Sequence, residues 1–429
     1  MEKLTARTAP SPEEPWTPPA KSQQPSLAPA AARIPPELLQ STQKWTLANL
    51  VDVGLLNSTL PRTAWASARA ASAGVDIAYA AYYPVVGAKL TGLKTKGSAF
   101  GGRFTFDYSN LDPGASLSWL LLDLGGRNAD TDMARQSLAA ANWTQNSVIQ
   151  GVILQIEQSY YQFLASRALL ESYRTSLKEA EANLQAADLR HKAGVATIAD
   201  VLQAKTSESQ ARLNLVSAEG ATETLKGALA NSMSLPADTH FDVADDLPAT
   251  LPLELVSGEV ERFITDAQSR RPDIAAARAQ VLQAQANVRS VRSDGLPTIT
   301  ANASYDKVYY LHTSGPSNTY ALSVALNIPI SVGIANWYRV LQAKAEVDAA
   351  KAQMDQTVHA VVLQVWTSYY NLKTAAQRIG TAQDLYDSAN ASYQVALDRY
   401  KKGVGSILDL LAVQAALDGG RVQMVQAKT

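Results

Sequence analysis

The sequence contains no cysteine, and its 429 residues carry almost no net charge. Without cysteine the chain can form neither disulfide bonds nor thiolate metal sites, and thiol catalysis is excluded. The 38 basic and 39 acidic side chains balance to −1, so composition gives no reason to expect nucleic acid as a partner. Four histidines, at His191, His240, His312 and His359, lack the spacing of a zinc site. We therefore expect no metal site and no cofactor.

Long apolar runs are also missing, since no stretch reaches the 18 or so apolar residues that predict a membrane-spanning helix. The first residues, MEKLTARTAP, lack the apolar core of a signal peptide, so the chain is either cytosolic or has had an export signal removed. Enzyme motifs are absent as well: there is no nucleophile elbow, phosphate loop or carboxylate pair with a suitably spaced histidine. The sequence predicts a protein that is not an enzyme.

The chain does contain an internal repeat: a set of residues in the first half recurs in the second half, 209 positions later. The first copies are Gln155, Ser159, Tyr160, Tyr161, Arg190, Lys192, Gly194, Val195, Ile198, Asp200 and Leu202. The second copies are Gln364, Ser368, Tyr369, Tyr370, Arg399, Lys401, Gly403, Val404, Ile407, Asp409 and Leu411. A period this long indicates a duplicated half rather than a solenoid unit.

The repeat divides the chain into four predicted parts. Residues 1–44 are rich in proline and favour an extended arm. Residues 45–231 and 258–429 are the two structural repeats, and residues 232–257 are an acidic, proline-containing linker between them. Each repeat is predicted to contain a helix, two strands, a very long helix, a tight turn and a long return helix.

Strand patterns precede each long helix. From residue 84 to about residue 124 the chain is rich in glycine and aromatic residues, with turn signals at Lys96-Gly97 and Asp112-Pro113-Gly114. Residues 320–330 alternate large apolar with small or polar side chains, which predicts a strand with one apolar and one polar face. The helices before these strand pairs are expected at 63–83 and 272–294.

The long helices show a strict seven-residue spacing of large side chains, typical of a left-handed coiled-coil seam. A helix from residue 127 to residue 191 would be roughly 100 Å long, far beyond a globular helix. In the first half the seam is Ile149, Ile156, Phe163, Leu170, Leu177 and Leu184. In the second half it is Val358, Val365, Leu372, Ile379, Tyr386, Tyr393 and Tyr400.

Two strands of about ten residues in each half suit a membrane β-barrel. Four strands cannot close a barrel alone, and open sheet edges are not tolerated in lipid, so closure requires further copies of the chain. Three copies would supply twelve strands, with twelve long helices beneath them.

Five segments, taken together with their order along the chain, resemble the TolC-type outer-membrane efflux family. They are AWASARAASAGVDIAYAAYYP, SLSWLLLDLGGR, RHKAGVATIADVLQA, RPDIAAARAQVLQAQANVRSVRSDGLP and RYKKGVGSILDLLAV. The resemblance covers residues 45–429 and implies a homotrimer with a twelve-stranded β-barrel in outer-membrane lipid. It also implies a coiled-coil α-helical barrel in the periplasm of a Gram-negative cell, with the linker in the equatorial region. The fold class expected is thus mainly α with membrane β.

The resemblance implies a passive exit duct that works with a periplasmic adaptor protein and an inner-membrane transporter. The alternative is a periplasmic coiled-coil adaptor or scaffold, but a strand pair before the long helix in both halves favours the duct. The lipoprotein branch of the family begins with an acylated cysteine, whereas this chain begins with Met1. We expect a processed or engineered N-terminus and leave lipidation open.

The two tight turns hold the candidate functional residues. Thr197 to Asp200 and Ser406 to Asp409 are both Ser/Thr-x-x-acid helix starts, so each aspartate can cap its return helix. In a trimer, Asp409 would also form an acidic ring at the narrow end of the duct, and it matches a gate aspartate of the family. Asp200 is the weaker candidate for that pore constriction.

The family resemblance is incomplete at the second turn. A second gate aspartate of the family falls on Ala412, and an arginine of its closed tip falls on Gly405. The turns themselves either serve only to reverse the chain or also contact the adaptor protein. The candidate contact residues are Gly194, Val195, Thr197, Gly403, Val404 and Ser406.

Overall fold

The structure, a computed structural model, is mostly helical with one small sheet. In the ranges it describes, no helix is both long and apolar enough to cross a membrane. Most of the proline-rich arm and the second half of the linker lie outside the described residues. The described residues are 33–35, 44–244, 259–311, 315–330 and 333–428.

The two repeats contain the same run of elements, and the predicted order is confirmed in both. The first consists of α1 (Leu47–Asn57), α2 (Thr59–Ala80), β1 (Val85–Ala99), β2 (Phe104–Leu122), α3 (Gly126–Lys192) and α4 (Ile198–Ser232). The second consists of α5 (Val260–Arg270), α6 (Pro272–Ser293), β3 (Thr298–Tyr310), β4 (Ser317–Asn327), α7 (Gly333–Lys401) and α8 (Ile407–Lys428).

The long helices are as long as the seven-residue spacing predicts. Helix α3 has 67 residues and α7 has 69, so each extends about 100 Å at 1.5 Å per residue. The seam is only partly covered within one chain. Ile156, Phe163, Tyr393 and Tyr400 are buried, whereas Leu372 on the same seam is half exposed.

Two hydrophobic clusters hold the helices together. One lies where α1 and the start of the linker pack on α3 and the end of α4, with Trp45 stacked on Phe241 at 5.4 Å between ring centroids. Tyr160 and Leu229 are fully buried in it. The second cluster joins the C-terminal end of α7 to α8. The first hairpin is therefore packed at the end far from its turn, and the second hairpin is packed next to its turn.

The four strands form one antiparallel sheet in the order β1-β2-β3-β4, and both outer edges are unpaired within the chain. Val85 lies opposite Ser118, Ser118 opposite Asn302, and Asn302 opposite Ser323, and the register of β2 with β3 shifts between Leu120 and Leu122. The central pairing of β2 with β3 joins the two repeats.

The expected turns at Lys96-Gly97 and Asp112-Pro113-Gly114 are wrong, because both segments lie inside strands. The hairpin turns later, at Phe100 to Gly102, where three consecutive residues have positive φ. Gly97 instead provides room for the Phe106 ring, which a Cβ there would meet at 2.7 Å. Pro113 lies in a gap of the β2–β3 pairing, between the pairs Leu111–Tyr309 and Gly114–Asp306, which suits a residue with no N–H to donate.

Smaller differences concern helix boundaries. The helix expected at 63–83 begins four residues earlier, at Thr59, and ends at Ala80. The short helix α5 was not predicted. The alternating segment 320–330 forms β4 as far as Asn327.

Candidate functional sites at the helical tips and on the sheet

The first tip is the turn between α3 and α4, residues 193–197. Gly194 has φ +74°, a left-handed conformation that glycine adopts without strain. The amide of Val195 donates to the carbonyl of Arg190 at 3.0 Å and ends α3. The Val195 side chain is 65% exposed, so this turn presents an apolar residue to its surroundings.

The predicted cap of α4 is confirmed. The Thr197 hydroxyl accepts from the Asp200 amide at 3.3 Å, and the Asp200 carboxylate accepts from the Thr197 amide at 2.8 Å. This reciprocal pair is a capping box. The carboxylate of Asp200 is therefore already engaged in holding the start of α4.

The second tip is the turn between α7 and α8, residues 402–406. Gly403 has φ +80°, and the amide of Val404 donates to Arg399 at 3.0 Å. The Ser406 hydroxyl accepts from the Asp409 amide at 3.1 Å. Val404 is 68% exposed, as its counterpart in the first tip is.

The two aspartates differ in what their carboxylates do. Across the described ranges, no hydrogen bond or ion pair engages the Asp409 carboxylate, and the residue is exposed. Asp200 is partly buried and bonded in its cap. The Asp409 carboxylate is consequently the freer of the two to face an ion.

Gly405, where the resemblance implies an arginine, has a structural reason to remain glycine. A Cβ at this position would lie 3.1 Å from the Tyr400 amide nitrogen and from the Arg399 Cβ. The chain folds back tightly on the end of α7, and a side chain would require that turn to widen.

A cation links the two tips. The Arg190 guanidinium, from the end of α3, lies 4.7 Å from the centroid of the Tyr400 ring and donates to the Tyr400 carbonyl. Burial raises the pKa of the Tyr400 hydroxyl above its ordinary value. The first hairpin thereby contacts the second next to Gly403.

Further from the tips, a polar layer joins α3 to α8. Asn183 donates to Gln414 at 2.8 Å, and both side chains are buried. Ser176 donates to Asp418, and Arg421 donates to Glu179. The polar layer is defined by Ser176, Glu179, Asn183, Gln414, Asp418 and Arg421.

Desolvation and pairing shift two pKa values in this layer. Burial raises the pKa of Asp418, and the hydrogen bond from Ser176 and the charge of Arg421 only partly oppose that effect. The hydrogen bond to Glu179 raises the pKa of Arg421. The layer holds charged side chains in the seam between the two hairpins, where apolar residues would pack more simply.

The sheet has one apolar and one polar face. The register aligns alternate residues of all four strands, and most large apolar side chains in the helical half of the sheet share one side, whereas the other side carries Phe106, Tyr108 and Tyr310 near the hairpin end. These residues, the apolar face, include Val86, Leu90, Leu117, Trp119, Ile299, Tyr305, Tyr320, Leu322, Val324 and Leu326. The polar face includes Lys89, Asp112, Ser116, Ser118, Asn302, Ser304, Asp306 and Ser323.

Polar-face side chains bond to one another across strands. Lys89 pairs with Asp306 at 3.0 Å, and Gly114, between them on β2, leaves the space that this ion pair occupies. Ser118 donates to Asn302 at 2.9 Å. On the apolar face, the large side chains of β4 are 61–84% exposed.

Sequence reasoning missed the contacts between repeats. Arg190 and Tyr400 were noted only as a repeated residue and a seam position, and the polar layer was not anticipated. One signal was available in the sequence of α8. Three polar residues lie within it at helical spacing, on a face that a simple seam would make apolar: Gln414, Asp418 and Arg421.

Comparison with known proteins places this chain among bacterial outer-membrane proteins. The profile of the family described as "Outer membrane efflux protein" matches residues 51–234 and 263–429, most of the chain. Protein CyaE of Bordetella pertussis is 29% identical over 403 residues, 93% of this chain and 84% of that protein. The probable efflux pump outer membrane protein TtgC of Pseudomonas putida is 25% identical over 333 residues, 72% of this chain and 65% of that protein.

Solved structures agree on the fold. A membrane protein from Pseudomonas aeruginosa superimposes with a TM-score of 0.81 at 23% identity, with 89% of each chain covered. At that identity the likeness concerns the fold alone.

Proposed function

The chain belongs to the outer membrane efflux protein family, and from that premise we propose that three copies form a passive exit duct. The family is one of outer-membrane efflux and secretion channel proteins, so the chain is neither an enzyme nor a periplasmic adaptor. In the proposed trimer, the four-stranded sheets close into a twelve-stranded barrel in the outer membrane, and the long helices continue it into the periplasm as an α-helical barrel.

The two-faced sheet is the observation that carries this proposal. A sheet with unpaired edges and a largely exposed apolar face is unstable in water and in lipid alike, because its edge N–H and C=O groups lack partners. Pairing β4 of one copy with β1 of the next would satisfy both edges. The apolar face would then meet lipid, and the polar face would line an aqueous lumen.

The helices support closure by copies as well. Ile198, Leu202, Leu213 and Val216 lie on one face of α4, and each is 57–62% exposed. Helix α7 exposes Leu363 and other large side chains along one side. Neighbouring hairpins in a helical barrel would cover these stripes, as in a coiled coil.

At the periplasmic end, we propose that Asp409 lines the pore constriction, with Asp200 contributing less because its carboxylate caps α4. Three Asp409 carboxylates around an axis would favour cations. The exposed tips would dock on the hairpins of a periplasmic adaptor, and an inner-membrane transporter would supply the energy. The docking residues would be Gly194, Val195, Thr197, Gly403, Val404 and Ser406.

The first experiment measures the protein mass of the complex extracted in detergent from outer membranes, by light scattering. A mass of three chains is expected, and a detergent-independent monomer or dimer would overturn the proposal. Planar-bilayer recordings then test the constriction.

Asp409→Asn should reduce the preference for cations over anions. Asp200→Asn is the matched control, since it removes the same charge from a carboxylate already bonded in a cap; it should weaken α4 and leave selectivity near that of the wild type. If both variants shift selectivity equally, Asp409 has no special place in the constriction.

A further inference from the structure

The apolar face of the sheet ends in cations at the hairpin end. Lys94 and Lys96 follow the apolar residues on the same side of β1, and Lys307 follows Tyr305 on the same side of β3. Arg103 lies in the turn between β1 and β2. These four residues, the cationic belt, occupy the border where an apolar wall would meet membrane headgroups.

Lys307 shows how the belt is oriented. Its ammonium lies 5.1 Å from the centroid of the Tyr309 ring, which is two residues nearer the hairpin end of β3. The side chain therefore extends along the strand toward the loops. A lysine takes this course when its aliphatic stem lies on an apolar surface and its ammonium group extends into polar surroundings. Tyr305, Tyr309 and Tyr320 surround this level of the sheet, where aromatic side chains favour a membrane interface.

The positive charge of the belt is barely compensated. Within the four strands as described, Asp107 is the one acidic residue on this face. It lies 4.0 Å from Lys96, and the two side chains are 51% and 81% exposed, so this ion pair is weak. The belt keeps its charge available for a partner.

The opposite end of the same face has no matching cations. Its described strand residues there, such as Val86, Trp119, Ile299 and Leu326, are uncharged. Lysines that merely bordered the hydrocarbon would be expected at both ends. Cations at one end only indicate one leaflet with a particular headgroup charge.

We propose that the cationic belt binds phosphate-bearing headgroups of the glycolipid in the outer leaflet. This inference rests on the proposed function, which turns the apolar face toward lipid. The long helices leave the sheet at its other end, so in the outer membrane the hairpin end faces the cell exterior. Compact ammonium groups at headgroup depth bind phosphate as point charges, and the interaction weakens as salt screens it.

The test counts glycolipid molecules bound to the purified complex by native mass spectrometry. The probes are diphosphorylated lipid A and the same lipid after phosphatase treatment. Wild-type protein should bind the phosphorylated form more tightly. The variant Lys94→Gln, Lys96→Gln and Lys307→Gln should lose that preference, by roughly fivefold in affinity for each lysine removed.

A matched control removes three cations elsewhere: Lys89→Gln on the polar face, with Lys401→Gln and Lys402→Gln at the second tip. It should bind phosphorylated lipid A as the wild type does. Equal binding of both lipids by the wild type, or unchanged binding by the belt variant, would overturn the inference.

Two precautions keep the result interpretable. If the triple variant does not assemble, the double variant Lys94→Gln and Lys96→Gln, which leaves the level of the tyrosines unchanged, replaces it. An approximately twenty-five-fold loss of affinity is then expected. Light scattering is run on every sample. A wild-type trimer without phosphate preference contradicts only the lipid site, whereas failure of the wild type to form a trimer contradicts the proposed duct.

Discussion

Arg421 on α8 donates two parallel hydrogen bonds to Glu179 on α3, at 2.7 and 2.8 Å. The side chains are 13% and 23% exposed, so this pair is much drier than an ordinary surface salt bridge. The residues lie 242 positions apart and belong to different repeats. A movement that separates α3 from α8 at this level must break this bidentate pair.

Arg421→Ala should lower the free energy of unfolding by about 1.5–3 kcal/mol, because it removes charged hydrogen bonds and leaves Glu179 without its partner. Denaturant titration of the purified complex measures the change. Arg174→Ala is the control, since its partner Glu171 is 70% exposed, and it should cost less than about 1 kcal/mol. Equal losses in the two variants would mean that the inter-hairpin pair contributes nothing special.

Asp418 gives the polar layer a defined pH dependence. Burial raises the pKa of its carboxyl in the folded protein, so the folded state holds this proton more readily than the unfolded state does. Stability from this group is therefore present at low pH and is lost as the pH rises from the ordinary aspartate pKa through the raised one. The groups facing it are Ser176, Glu179 and Arg421.

Asp418→Asn should remove that loss, so the variant gains stability relative to the wild type as the pH rises through this window and is at neutral pH at least as stable as the wild type. The amide oxygen can still accept from Ser176. Unfolding curves at a series of pH values provide the measurement, with Asp384→Asn, an exposed position on α7, as the charge-matched control. A variant that loses stability relative to the wild type as the pH rises through the same window would contradict the assignment.

Glycine at the first tip is needed for its backbone conformation and not for space. Gly194 has φ +74°, and nothing lies within 4 Å of where its Cβ would be. Gly194→Ala should therefore cost about 1–2 kcal/mol from the left-handed conformation alone. Gly380→Ala, in the interior of α7 and equally open, should stabilise by about 0.5–1 kcal/mol. Thermal unfolding distinguishes the two by sign, and a loss of the same size at both positions would refute the argument.

The sequence was most informative where one period dominated. The helix expected from residue 127 to residue 191 matches α3 almost to its ends, and the second seam, from Val358 to Tyr400, lies within α7, because only a helix keeps such positions aligned over nine or more turns. Residues 320–330 likewise predict β4. In β1 the same reasoning failed, because it placed a turn at Lys96-Gly97. Lys94 and Lys96 interrupt the apolar alternation, and Gly97 suggests a turn although its missing side chain leaves room for the Phe106 ring.

Contacts between the repeats could not be predicted from local pattern. Glu179 and Arg421 meet only because two hairpins pack side by side, and no spacing along the chain encodes that distance. The aspartates of the two tips look equivalent as Asp200 and Asp409. Only hydrogen-bond geometry separates the carboxylate that caps α4 from the one that stays free.

The apolar face makes a final, position-specific prediction. Leu322, in the middle of β4, is 84% exposed on the apolar face, and Ser323 beside it lies on the polar face opposite Asn302. If the sheet is a barrel wall, Leu322→Arg places a charge near the centre of the bilayer and should cost about 2–4 kcal/mol. Ser323→Arg places the same charge in an aqueous lumen and should cost far less. Denaturant unfolding of both variants in lipid vesicles measures the difference, and comparable losses at these adjacent positions would remove the barrel wall from the proposed duct.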